Sequence, residues 1–152
     1  MKRIAVLGIA VLAGLIVCAG FAWASIEGDC KAVVDKAAGM FKSKGKDAAI
    51  KAVNDPKGPF VKGELYVFAV DMNNKVLAHP MNQSLVGKDV SKVKDPKGKL
   101  LFAEFLDVAK GKGVGWVEYM WPKPGAKEPS PKRSYIMKIP GEEVYIGAGY
   151  YK

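Results

Sequence analysis

Glu64-Leu65-Tyr66-Val67-Phe68-Ala69-Val70-Asp71-Met72-Asn73-Asn74-Lys75-Val76-Leu77-Ala78-His79 is the stretch on which the fold turns. Glu64 to Val70 is rich in aromatic and β-branched residues, and Asp71 to Asn74 carries side chains that bond back to their own backbone. Lys75 to His79 then returns, so the stretch reads as an antiparallel hairpin. Pro80 lacks the N–H needed to extend a ladder and closes the second strand.

Upstream of the hairpin the period changes. Ala32, Val33, Ala37, Met40 and Phe41 recur at steps of three and four, the spacing of an amphipathic helix from Ile26 to about Lys42. Gly45 interrupts it. A second short helix, Ala48 to Val53, stops at Asn54-Asp55-Pro56. Downstream, the residues to Gly98 read as loop, and Leu100 to Ala109 as a helix with Leu101, Phe105 and Val108 on one face. Three strands follow: Val114 to Trp121, Ser134 to Ile139 and Val144 to Tyr150, the last two joined at Pro140-Gly141. Asp-Pro-Lys-Gly occurs at Asp55 to Gly58 and again at Asp95 to Gly98; the flanks differ, so both copies read as turns. The fold class expected is α+β, one antiparallel sheet of about five strands with helices to one side.

The chain begins with an address. Lys2 and Arg3 precede 19 uncharged residues, Ile4 to Ala22, and Ala22-Trp23-Ala24 offers a small-x-small processing site. Residues 1–24 are therefore read as a signal peptide and residues 25–152 as one domain in the periplasm. The alternative is an uncleaved membrane anchor, since a run of this length can span a bilayer. Lipid attachment at Cys18 is disfavoured by Val17, which stands where a small residue is expected. Cleavage leaves Cys30 as a lone thiol, so no internal disulfide forms; it reads as a small apolar residue on the first helix, with an intermolecular bridge as the other reading.

Of 152 residues 49% are hydrophobic, enough for a single core. The net charge is +9, falling to +7 once Lys2 and Arg3 leave. The lysines are spread out with no run of five, so nucleic acid is not an expected partner. No CxxCH, GxSxG, HExxH, Walker loop or GxGxxG occurs, and His79 is the only histidine. Gly111-Lys112-Gly113-Val114-Gly115 lies between helix and strand instead of opening a helix, and reads as a linker. No enzyme, cofactor or metal site is expected.

One cluster draws notice. Along Trp116-Val117-Glu118-Tyr119-Met120-Trp121, alternation puts Tyr119 and Trp121 on one face and Trp116 on the other. Lys132, just before the next strand, and Tyr135 within it could be brought close by antiparallel pairing. Two readings fit: a small-molecule pocket with aromatic walls and a few polar groups, or ordinary sheet packing with Lys132 exposed.

The run Tyr66 to Pro80, then Leu85-Val86-Gly87-Lys88-Asp89 and Asp95-Pro96-Lys97-Gly98, resembles the type 2 single-Cache domain of bacterial chemoreceptors and sensor kinases. Gly115 to Pro122, Pro131-Lys132-Arg133-Ser134-Tyr135 and Ile146 to Tyr151 extend the resemblance over most of the chain from the first helix onward. It implies a PAS-like sheet with a long N-terminal helix packed on it and one pocket for a small organic acid of the acetate, propionate, pyruvate or lactate class. Carried over by position, the ligand residues are His79, Trp116, Tyr119, Trp121, Lys132 and Tyr135, with Lys132 as the carboxylate partner. The resemblance also implies a membrane sensor kinase or chemoreceptor as downstream partner. Family members usually sit between two membrane helices ahead of a cytoplasmic output domain, whereas this sequence ends at Lys152. A structural or assembly factor with a vestigial pocket is the alternative from another class.

Overall fold

The computed structural model describes residues 19–152, with side chains from residue 25 onward. The charged start and the apolar run up to residue 18 lie outside the described residues. Helix α1, Ala19–Lys44, runs unbroken across Ala24-Ser25. Cys30, Val34, Ala37 and Phe41 are its buried stripe, at steps of four, three and four. At Gly45, φ of 83° turns the chain into α2, Lys46–Val53, which lies against α1.

The sheet has six antiparallel strands: β1 Val61–Lys62, β2 Leu65–Asp71, β3 Val76–Ala78, β4 Val114–Pro122, β5 Pro129–Lys138 and β6 Val144–Tyr151. Their order is β1-β2-β6-β5-β4, with β3 pairing to β2. A short 3₁₀ turn, Gln83–Leu85, and α3, Leu101–Lys110, complete the fold. Asp71 makes the hairpin turn: its Oδ1 accepts the backbone N–H of Asn73 and of Lys75, both at 2.9 Å.

Three expectations are corrected. The helices do not lie to one side. Val34, Ala37 and Phe41 of α1 and Ala49 and Val53 of α2 pack on Val67, Ala69, Ile146 and Ala148, whereas Leu101, Phe102 and Phe105 of α3 pack on Tyr66, Phe68, Val70 and Tyr145. Every residue from Tyr66 to Val70 is consequently buried, because both faces of β2 are covered. Second, a sixth strand exists, the two-residue β1 at the edge beside β2. Third, β5 starts five residues before Ser134, so Lys132 lies inside a strand and is buried, 1% exposed. Pro129 and Pro131 are tolerated there because β6 pairs with β5 only from Lys132 onward.

The outer edge of β4 is closed by the loop before α3. Asp95 Oδ2 accepts the Met120 N–H at 3.1 Å, its Oδ1 accepts the N–H groups of Lys97 and Lys99, and the Lys99 ammonium donates to the Glu118 carbonyl at 2.7 Å.

Candidate ligand site

Strand alternation puts Tyr66 and Phe68 of β2, Tyr119 and Trp121 of β4, Lys132 and Ser134 of β5 and Tyr151 of β6 on the α3 face. The registers Tyr119↔Lys132 and Lys132↔Tyr151 set three of them side by side. On β6 this face carries Gly147 and Gly149. A Cβ at Gly147 would strike the Phe68 and Ile136 side chains, and one at Gly149 would strike Ser134. Their bareness makes the room that large aromatic side chains fill.

His79 arrives from the end of β3. Its backbone N–H donates to Asn54 Oδ1 at 3.0 Å; Asn54 is the C-cap of α2, and its Nδ2 donates to Gln83 Oε1 while its backbone carbonyl accepts from Gln83 Nε2. The imidazole is thereby held 5.2 Å from the Tyr66 ring, stacked on Phe68 at 6.3 Å and 6.0 Å from Trp121. With Leu101, Phe102 and Phe105 of α3 these rings enclose a cavity of about 10 Å³. Tyr66, His79 and Trp121 also wall an outer groove of about 270 Å³, closed on its far side by Met81, Asn82 and the segment from Pro122 to Ala126. Tyr66, His79 and Trp121 thus line both spaces, the smaller of them about the size of one water.

Lys132 is not in the lining of this chamber but lies against one of its walls, the Tyr66 ring, and itself lines a separate groove of about 390 Å³ with Asp95, Glu118, Tyr119 and Lys152. Its Nζ is 3.9 Å from the centre of the Tyr66 ring and 4.8 Å from that of Tyr151, a pair of cation–π contacts. It has no hydrogen-bond partner, and neither has His79 Nδ1. Buried polar atoms are nearly always paired, so two orphans against the same Tyr66 ring point to a polar ligand. Burial pushes the lysine down to about 7, against which Cys30 and Glu64 pull weakly. Burial, reinforced by Lys132, pushes His79 down to about 3, so the imidazole is neutral. The Tyr119 hydroxyl shares a hydrogen bond with Ser134 Oγ at 2.9 Å, and the Tyr151 hydroxyl donates to the Pro122 carbonyl at 2.7 Å.

His79, Tyr119, Trp121 and Lys132 therefore come together. Trp116 and Tyr135 do not join them: they pair with each other, rings 5.3 Å apart, on the face toward α1. Tyr66, Phe68, Phe102, Phe105 and Tyr151 belong to the site region and were not singled out by the sequence. Their types and burial suit ordinary core positions, and no motif marks them.

The sequence model of the single Cache domain 2 family matches residues 36–152. This chain belongs to that family. It is 40% identical over 86 residues to the methyl-accepting chemotaxis protein McpP of Pseudomonas putida, and 28% identical over 86 residues to the sensor histidine kinase MctS of Rhizobium johnstonii. Each alignment takes in 57% of this chain but only 16% and 18% of those relatives. A solved periplasmic sensor domain of a chemotaxis protein superposes with a TM-score of 0.68 at 30% identity, covering 87% of this Cache domain's chain and 93% of its own. A Cache chemosensory domain solved for the structural basis of carboxylic acid recognition gives 0.73 at 28% identity, covering 89% and 99%. Cache domains of this kind are extracytoplasmic sensor domains of chemoreceptors and sensor kinases. Among the described residues no helix is long and apolar enough to cross a membrane.

Proposed function

We infer that this Cache domain binds a small organic acid of the acetate, propionate, pyruvate or lactate class outside the cytoplasm and reports its occupancy to a sensor kinase or chemoreceptor, without catalysing a reaction. The observation that carries the reading is the Lys132 ammonium, 1% exposed and without a hydrogen-bond partner beside an aromatic chamber. An ammonium taken out of water needs an anion, and a carboxylate is the small anion whose short alkyl tail also suits the Phe68, Phe102 and Phe105 wall. Neutral His79 adds one hydrogen bond, and Tyr119 and Trp121 flank the tail. The likeness to a domain solved for carboxylic acid recognition supports the same class. Because the aromatic chamber holds about one water's volume, the rings that line it move apart to admit the acid.

The test is thermal shift of the isolated domain with each of the four acids, since a ligand that binds only the folded state raises its melting point by mass action. At least one acid stabilises the parent, and Lys132→Met loses the response. Stabilisation by none of the four sinks this reading in favour of an assembly factor with a vestigial pocket. For export, mass spectrometry of material from the native envelope is expected to find Ser25 at the N-terminus; a retained residue 4–22 segment means an anchored subunit instead.

A further inference from the structure

Lys132 and Arg133 are neighbours on β5, so one faces the acid site and the other faces α1. The ladder to β6 repeats this division. Lys132 is paired in register with Tyr151, and Arg133 with Tyr150. On the α1 side Glu27 Oε1 accepts from Arg133 Nη1 and, at 3.3 Å, from the Tyr150 hydroxyl. Among the described residues this is the one ion pair between α1 and the sheet. Trp116 backs it, with the Arg133 guanidinium 4.8 Å from the centre of its ring system and the Tyr150 ring at 6.3 Å.

We propose that Glu27 couples the acid site to helix α1, its carboxylate gripped by the Arg133–Tyr150 rung while the adjacent Lys132–Tyr151 rung faces the ligand. The proposal rests on the site reading above. The Lys132 ammonium sits on the Tyr66 and Tyr151 rings. A bound carboxylate draws it off both, which releases the Tyr151 ring and shifts the ends of β5 and β6. Adjacent residues on a strand are about 3.3 Å apart, so Arg133 and Tyr150 move with their neighbours. Both hold the same oxygen of Glu27, and a shift of the rung becomes a shift of the first described turns of α1. The outer face of that helix, with Gly28, Ala32, Asp35 and Gly39 exposed, is where a partner can read the change. The hydrogen bonds of Glu27 go to Arg133 and Tyr150, neither of which lines the acid chamber, so it is a positioning residue. Glu27 and Arg133 side chains are each 30% exposed, and ion pairs of that kind add little to stability, so the fold survives loss of the clamp.

The test is hydrogen exchange on the amides of α1 with and without whichever of acetate, propionate, pyruvate or lactate gives the largest thermal shift. Parent, Glu27→Gln and Glu118→Gln are compared. Glu118 pairs with Arg133 and Lys152 but not with α1, which makes it the control. In the parent the acid changes exchange over residues 25–38. In Glu27→Gln the acid still raises the melting point, but the α1 response falls severalfold; in Glu118→Gln it stays as in the parent. An α1 response of equal size in Glu27→Gln overturns the coupling, as does a parent response confined to α3 and β4 or a loss shared by Glu118→Gln. If no acid stabilises the parent, the site reading fails first and the coupling with it.

Discussion

The Lys132 ammonium lies 3.9 Å from the centre of the Tyr66 ring, buried and without a hydrogen-bond acceptor. Aromatic faces offset part of the cost of desolvating that charge, and a carboxylate offsets more. Lys132→Met is therefore expected to keep or raise the melting temperature of the acid-free domain. Its acid affinity should fall by about 2–5 kcal/mol, or about 30-fold to several thousandfold. Isothermal titration that gives the variant the parent's affinity would falsify the carboxylate assignment.

Trp121 has two duties, as its ring meets His79, Phe102 and Tyr119 within 6.3 Å. Trp121→Ala should weaken acid binding and destabilise the fold together, the latter toward the lower end of about 3–5 kcal/mol because the side chain is only partly buried. Urea unfolding with and without acid separates the two effects.

Tyr135 makes the opposite case. Its ring packs on Trp116 and under the Lys31 ammonium, on the far side of the sheet from Lys132. Tyr135→Phe should leave acid affinity within about threefold of the parent, roughly half a kcal/mol. A loss of tenfold or more would bring its hydroxyl back into the site.

The buried bases set a pH signature. Lys132, held down to about 7, gives up in the folded state a proton that the unfolded chain keeps to about 10.5. The unfolded state then binds more protons, so stability rises with pH from about 7 toward 10. His79, held down to about 3, acts likewise below its ordinary 6.5, and the fold weakens as pH falls from there toward 3. The acid-free melting temperature should rise between pH 7 and 9 in the parent but not in Lys132→Met, while acid affinity falls over the same interval. Parallel curves for both proteins would rule out Lys132 as the group.

Cys30 is buried on α1, and burial pushes its thiol up to about 11. Thiol reagents should label it only in denaturant, and non-reducing gels should show a disulfide dimer as a trace at most. Rapid labelling of the native domain would contradict this.

Where local chemistry alone decides, the sequence was readable. The Asp71 turn needs no tertiary information and stands as expected; of the expected α1 stripe Ala32, Val33, Ala37, Met40 and Phe41, Ala37 and Phe41 are buried, whereas Ala32 is exposed and Val34, one position on from Val33, takes the buried place. The two-sided burial of β2 is written in Tyr66, Val67, Phe68, Ala69 and Val70, an unbroken apolar run with no polar face, but such a run does not say which helices cover the two sides. Pro129 and Pro131 masked the start of β5 and with it the burial of Lys132, since strand propensity penalises proline without knowing which neighbours a strand will have. For Tyr66 and Tyr151 the gap is one of distance: only the registers of three strands bring them to the same lysine.

The Asp95 and Lys99 contacts along β4 reach beyond this fold. A sheet edge with free N–H and C=O groups is a template on which another polypeptide can add a strand. Here the Met120 N–H and the Glu118 carbonyl are already taken by side chains of the same molecule. At those positions the sheet cannot be lengthened by a neighbour, so open-ended strand addition along this edge is blocked. On the β4 side, conversation with other proteins is left to side chains, where it can be made and broken without rebuilding the sheet.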